Sequence, residues 1–172
     1  MAPTRVLVTC PPMRGQLATL AAEWPDMHFI TPPLTQAMSA DELARAVCDC
    51  DAWIIGDDPA TRCVFEAGRG NLRCVVKWGV GVDNVDRQAL QEFGIPFTNT
   101  PGLFGESVSD VAVGMLLMLT RQLARIHTGV VQSQWLKPCG TDLWRKRVCL
   151  VGLGAVGKAV ARKLAAFGCV LT

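Results

Sequence analysis

The sequence predicts an α/β protein whose strands run parallel in a doubly wound sheet, and two observations carry that expectation. Through the first hundred residues, short apolar runs alternate with stretches whose apolar residues recur at three- and four-residue spacing. Near the carboxyl terminus an apolar strand leads directly into glycines spaced G-x-G-x-x-G, at Gly152, Gly154 and Gly157, and an amphipathic stretch follows. Strands that alternate with helices pair side by side and take helices on both faces. The expected architecture is a flavodoxin-like doubly wound domain over residues 1–100, followed over residues 101–172 by a buried helix and the first βα unit of a Rossmann domain.

The expected strands are Arg5–Thr9, Met27–Ile30, Ala52–Ile55, Leu72–Lys77 and Ile95–Thr98, with helical segments at Arg14–Glu23, Ala40–Val47, Ala60–Ala67 and Asp86–Phe93. The pattern changes at NTPGLFGESVSD, where Asn99, Pro101, Gly102 and Gly105 interrupt it. Ser107 with Asp110 three residues on reads as a capping box opening a helix that runs to about His127. Val108, Val111, Ala112, Met115, Leu116, Leu119 and Leu123 give that helix a broad apolar stripe, and Val113, Leu117 and Met118 fill its other sides. Such a helix is expected to be buried on most of its circumference, between two domains or two subunits, and a homodimer through residues 107–127 follows. A polar connection then leads to a strand at Val148–Val151.

Composition excludes several classes. Half of the 172 residues are hydrophobic, which disfavours disorder, and seventeen basic against fifteen acidic residues without a long run of one sign give no nucleic-acid or anionic-membrane surface. The longest unbroken apolar run, Val111–Leu119, is too short to span a bilayer, and the amino terminus lacks the apolar core of a secretion signal. A cytoplasmic protein is expected. Its eight cysteines contain no C-x-x-C pair; Cys10, Cys63, Cys74, Cys149 and Cys169 sit in or beside apolar segments, and Cys48 with Cys50 reads as two thiols at a helix end rather than a metal site.

Two motifs carry chemistry. In the strand–glycine–helix unit, Gly152 permits the tight turn, Gly154 lets a pyrophosphate approach the backbone and Gly157 lets the helix pack against the strand. The amides of Ala155 and Val156, at the positive end of the helix dipole, then face the phosphates of a dinucleotide, NAD or NADP. The acid that would read the adenosine ribose is expected about 20 residues further on, and the last acidic residue is Asp142, so the coenzyme stays open between the two. The second motif is KWGVGVDNVD, Lys77–Asp86, after the fourth strand. Glycines on either side of Val80 leave backbone N–H groups for an anion at the strand's carboxyl end, while Asp83 and Asp86 are expected to cap the next helix. His28 in an expected buried strand and His127 at a helix end show no carboxylate at dyad spacing.

KWGVGVDNVD, GIPFTNTPG, ESVSDVAVGMLLMLTRQL, Trp135 and VCLVGLGAVGKAVARKLAAFG occur in an order that resembles the D-isomer-specific 2-hydroxyacid dehydrogenases, especially their phosphoglycerate dehydrogenase-like branch. The resemblance covers nearly the whole chain and is strongest from Leu72 onward. It implies an oxidoreductase that transfers a hydride between NAD(P) and a small D-2-hydroxy or 2-keto acid, with residues 1–100 as the N-terminal part of the substrate domain and 101–172 as an incomplete NAD-binding domain. It further implies that the backbone near Val80 and Gly81 holds the substrate carboxylate, that Val80 also lies near the nicotinamide, and that Gly152, Gly154, Ala155, Val156 and Gly157 form the cofactor site. The family's catalytic arginine, glutamate and histidine have no counterpart here and are expected beyond Thr172, so the chain is expected to be a truncated form inactive alone. The alternative is a non-catalytic nucleotide-binding or dimerisation module. Two departures stand out. Gly56-Asp57-Asp58 occupies the place where relatives preferring phosphorylated substrates often carry arginine, and Ser109-Asp110 stands where many members have alanine and glutamate.

Overall fold

A computed structural model describes residues 2–33 and 37–172. The chain divides into two compact units, Met1–Pro101 and Gly102–Thr172.

In the first unit β1 (Thr4–Val8), β2 (Met27–Ile30), β3 (Ala52–Ile55), β4 (Cys74–Lys77) and β5 (Phe97–Thr98) form one parallel sheet in the order β2-β1-β3-β4-β5. That is the flavodoxin-like order, and it puts the carboxyl ends of β3 and β4 side by side. Successive side chains of a strand point to opposite faces. Leu7 therefore enters a core with Leu43, Val47, Trp53, Ile55 and Phe65, while Val6 and Val8 enter the opposite one with Met13. Trp53 and Phe65 meet at 6.0 Å in a tilted arrangement. The helices are α1 (Leu17–Glu23), entered through a 3-10 turn at Pro11–Gln16, α2 (Ala40–Val47), α3 (Arg62–Ala67) and α4 (Arg87–Glu92).

A capping box does exist in this protein, at the start of α2. The Glu42 N–H donates to Ser39 Oγ, and the Ser39 N–H donates to the Glu42 carboxylate at 2.9 Å. The Ser39 hydroxyl, and then its N–H, hold the Glu42 carboxyl below its ordinary range.

The second unit contains α5 (Gly105–Thr120), α6 (Leu123–Val131), β6 (Arg147–Val148), α7 (Ala155–Ala166) and β7 (Val170–Leu171), with β6 and β7 parallel. Val113, Leu143, Val160 and Leu164 form its core.

Three expectations need correcting. The box at Ser107 and Asp110 is not formed: α5 starts at Gly105, and the Ser107 hydroxyl turns back to the Phe104 carbonyl. The long helix is broken, because Gln122 adopts a left-handed conformation with φ 53°. The segment that follows α6 holds this break. Gln122 Nε2 donates to the Cys139 carbonyl at 2.9 Å, the Thr141 N–H to the Thr120 carbonyl at 2.8 Å, and Arg121 pairs with Asp142. Within this chain α5 buries Gly105, Ser109 and Val113 and leaves Val111, Met115, Met118 and Leu119 exposed.

Finally, several polar and sulfur side chains lie elsewhere than expected. His28 is exposed on the edge strand β2 and His127 lies inside α6. Cys63, Cys74 and Cys149 are exposed, whereas Cys10 and Cys50 are buried and burial pushes both thiols up. The thiols of Cys48 and Cys50 turn to the carbonyls of Arg45 and Ala46. Among the described residues no helix is long and apolar enough to cross a membrane.

Candidate functional site

The first candidate site lies where β3 and β4 end. Past β4 the chain turns at Gly79, whose φ of 147° falls in the region that favours glycine. The next strand pins this turn: the Gly79 N–H donates to Thr100 Oγ1 at 3.0 Å, the Thr100 N–H to the Gly79 carbonyl at 3.0 Å, and Asn99 Nδ2 to the Val80 carbonyl at 2.8 Å. No described residue accepts from the N–H groups of Val80 and Gly81. A Cβ built on Gly81 would meet nothing within 4 Å, so these donors border open space. Rigidly held, unpartnered amides are what an anion-binding turn requires.

The space is a pocket of about 310 Å³ lined by Asp57, Lys77, Trp78, Gly79, Gly81, Asp83 and Asn84. Lys77 is its buried cation, 5% exposed, with Nζ donating to the Gly56 carbonyl and lying 3.4 Å from the Asp57 carboxylate. Asn84 Nδ2 donates to the Asp58 carbonyl at 2.6 Å and to that of Gly56 at 3.3 Å, which fixes the turn after β3 from the pocket side. From the core side, the fully buried Asp58 carboxylate accepts from Thr9 Oγ1, from the Met38 N–H at 3.0 Å and from the Gly56 N–H at 3.2 Å. Trp53 Nε1 completes the network by donating to Thr9 Oγ1 at 2.9 Å. Of the two aspartates expected to cap α4, Asp86 does so, accepting from the Ala89 N–H at 2.9 Å, while Asp83 lines the pocket.

The second candidate site is the glycine turn before α7, where the three glycines differ in why they are glycine. Gly152 has φ 98°, which an L side chain rarely adopts. A Cβ on Gly157 would lie 2.2 Å from the Gly152 carbonyl oxygen, so only glycine lets the helix sit this close to the turn. At Gly154, the N-cap, a Cβ would meet nothing within 4 Å. The first helical hydrogen bond is from the Lys158 N–H to the Gly154 carbonyl at 2.9 Å, which leaves the amides of Ala155, Val156 and Gly157 ahead of it with no intrahelical acceptor. These donors and the helix dipole suit a pyrophosphate. A groove of about 650 Å³ adjoins them, with Leu153, Lys158 and Arg162 in its walls.

Charged contacts tie α7 to α5 beside this groove. Lys163 Nζ reaches Asp110 at 2.6 Å, Ser109 Oγ at 2.6 Å and the Glu106 carboxylate at 3.3 Å, and Arg162 also pairs with Glu106. Arg162 and then Lys163 hold the Glu106 carboxyl below its ordinary value, and Asp110 raises Lys163.

The structure thus places Gly81 in the wall of the pocket, with Val80 next to it in the loop but not among the lining residues, and Gly152 to Gly157 at one turn. Sequence reasoning missed Lys77, Asn84, Asn99 and Thr100 as parts of the first site. Only Lys77 left a signal, as a charged residue closing the otherwise apolar strand C-V-V-K.

A flavodoxin-like parallel sheet with a pocket at its carboxyl edge, and a glycine turn opening a helix, define an open α/β protein, a fold class in which ligands bind beyond the carboxyl ends of the strands. The family model for the D-isomer specific 2-hydroxyacid dehydrogenase catalytic domain matches residues 6–167, and the chain belongs to that family. It is 33% identical over 137 residues to hydroxypyruvate reductase of Thermotoga maritima, covering 78% of this chain and 44% of that protein. Glyoxylate reductase of Korarchaeum cryptofilum is 35% identical over 133 residues, 73% of this chain and 40% of that protein. The NAD+-bound 3-phosphoglycerate dehydrogenase of Entamoeba histolytica, at 20% identity, superposes with a TM-score of 0.78 over 99% of this chain and 53% of its own, which shows the shared fold. The chain thus spans about half the length, or less, of these relatives.

Proposed function

We propose that this chain is the substrate-binding and pyrophosphate-binding part of an NAD(P)-dependent D-2-hydroxyacid dehydrogenase. The observation that carries the reading is the division of labour among the three glycines: Gly152 shapes the turn, Gly157 closes the packing and Gly154 stands open beside the unpartnered amides of Ala155 and Val156. The coenzyme supplies or takes up a hydride at C2 of the acid. The chain's own residues bind and orient: the N–H groups of Val80 and Gly81 hold the substrate carboxylate, and the first turn of α7 holds the pyrophosphate oxygens. In the same reading Val80, half-exposed at the tip of its loop, borders the nicotinamide. NAD is the expected coenzyme, as in the NAD+-bound neighbour, with NADP as the alternative.

Reduction of a 2-oxo acid also consumes a proton, and neither His28 nor His127 contacts a carboxylate among the described residues. The 172 residues alone are therefore expected to give no turnover. The exposed apolar face of α5 supports a homodimer, and eight free cysteines suit a cytoplasmic setting. The test is NADH oxidation by the full gene product with hydroxypyruvate and glyoxylate. Turnover with either is expected, and its absence with both coenzymes would refute the reading.

A further inference from the structure

We infer that the start of α5 positions the coenzyme turn: Gly105 bears on the peptide group whose N–H is that of Val156, and Lys163 locks α5 in that place. The inference deepens the dehydrogenase reading and rests on it for the identity of the ligand. Its starting point is a contact between two backbones. A Cβ on Gly105 would lie 3.2 Å from the Ala155 carbonyl oxygen and 3.4 Å from its carbon, so the buried Gly105 lets the starts of α5 and α7 meet. The Ala155 carbonyl and the Val156 N–H are the two ends of one planar peptide group. Whatever bears on the first therefore sets the direction of the second, and the second is one of the three amides ahead of the first hydrogen bond of α7.

Such a contact positions the amide only if α5 cannot slide along α7. The apolar core, where Val113 joins Val160 and Leu164, draws the helices together without fixing their register, because burial has no direction. Lys163 supplies the direction. Its Nζ lies 2.8 Å from the Glu106 carbonyl, 2.6 Å from Ser109 Oγ and 2.6 Å from the Asp110 carboxylate, which engages all three ammonium donors on the first two turns of α5. The Ser109 hydroxyl, fully buried, gives its own proton to the Glu106 carbonyl at 2.7 Å and so accepts from the lysine. An alanine at 109 would leave one of those donors without this acceptor, which gives the Ser109-Asp110 departure a physical consequence. On the outer side Arg162 pairs with Glu106 as well. Gly105 and Lys163 thus hold α7 at two points about 12 Å apart along its axis, one of them at the peptide that faces the ligand.

Two variants of the full gene product probe this hold from its two ends. Gly105→Ala sets a methyl against the Ala155 carbonyl, which must shift to admit it. Lys163→Met keeps the length of the side chain and removes all three bonds. NADH fluorescence titration well below the melting temperature is expected to show about tenfold weaker binding in Lys163→Met, the weight of one weakened bond from an amide to a charged oxygen, and at least about threefold in Gly105→Ala. With hydroxypyruvate as substrate, KM for NADH rises with kcat within about twofold of wild type, whereas a merely structural defect removes active molecules and lowers kcat at unchanged KM. If Lys163→Met fails to fold, Gly105→Ala decides alone. Wild-type NADH affinity in either folded variant, or a fall in kcat at unchanged KM, overturns the inference and leaves the dehydrogenase reading standing. Wild type that binds neither NADH nor NADPH overturns both, and the titration decides between these outcomes without turnover.

Discussion

Replacing the glycines before α7 one at a time separates packing from ligand binding, because the structure assigns them different duties. In Gly157→Ala the new Cβ lands 2.2 Å from the Gly152 carbonyl oxygen and 3.1 Å from its carbon. Both are backbone atoms, so no rotamer change relieves the overlap and α7 must move away from the turn. Overpacking of this kind costs roughly 1–3 kcal/mol even after the structure relaxes. Alanine's better helix propensity, worth about 1 kcal/mol in a helix interior, returns only part of that at the first turn. For a chain of this size the loss lowers the melting temperature by roughly 2–12 °C. Gly154→Ala behaves oppositely. Its φ of −73° is open to any residue and its Cβ meets no protein atom, so stability stays within about 1 kcal/mol of wild type. The methyl instead fills the space beside the Ala155 and Val156 amides, and NADH affinity falls at least about tenfold, or 1.4 kcal/mol. Thermal melts and NADH fluorescence titration of the full gene product read the two effects. A Gly154→Ala protein that binds NADH like wild type, or a Gly157→Ala protein that melts like wild type, would refute the reasoning.

Further outcomes follow from the buried network and from the α5–α7 contacts. Asp58→Ala strands the N–H groups of Met38 and Gly56 and leaves the Thr9 hydroxyl only its long bond to the Ile54 carbonyl at 3.4 Å, and denaturant unfolding is expected to show a loss of about 3 kcal/mol. Glu106 has its folded pKa below its unfolded value of 4.5, so its contribution is fully present above that pH and is lost as pH falls through the folded value. Lys163, raised above 10.5, contributes fully below that pH and loses its contribution as pH rises through its folded value. Melting curves at several pH values should show both losses in wild type and smaller ones in Glu106→Gln combined with Lys163→Met, where Glu42 and Glu92, also held below their ordinary values, still contribute to the acid loss. Leu119→Glu, at a position 77% exposed on α5, is expected to convert a dimer to a monomer in sedimentation equilibrium.

Much of the first unit was legible because local pattern and tertiary demand agree there. β2, β3 and α2 occupy the expected residues, Met27–Ile30, Ala52–Ile55 and Ala40–Val47. Each is a short apolar or amphipathic run with a clear stop, and the sheet order follows from the alternation of strands and helices. The second unit misled at the point where distant residues decide the backbone. Nothing in T-R-Q-L breaks a helix. The left-handed turn at Gln122 is held by Cys139, Thr141 and Asp142, and Gly140 allows it, since a Cβ there would strike the Thr120 carbonyl at 2.8 Å. Sequence periodicity does not see partners so far along the chain. The same limit hid Asn99 and Thr100, which shape the Gly79 turn from the next strand, and Asp58, which is buried by the fold rather than by its neighbours.

Glycine spacing announced both candidate sites but left open which glycines face a ligand. Three physical causes produce the same letter: a left-handed backbone at Gly79 and Gly152, a backbone too close for a Cβ at Gly157 and Gly56, and empty space at Gly81 and Gly154. The third class leaves room beside the backbone, as it also does at Gly15 and Gly114, so space alone does not mark a site. Gly81 and Gly154 are set apart because no described residue accepts from the N–H groups beside them, and in each case a left-handed glycine two residues earlier in the chain creates the turn. Such a site takes its charge from aligned amides rather than from ionised side chains, which is why the composition of the chain betrays so little of it. Selectivity must then come from the few charges placed around the amides. At the first site those are Lys77, Asp57 and Asp83, and at the second Lys158, Arg162 and Glu106. Exchanging a wall charge should therefore change which anion is preferred, whereas adding a methyl at an open glycine should weaken every anion alike.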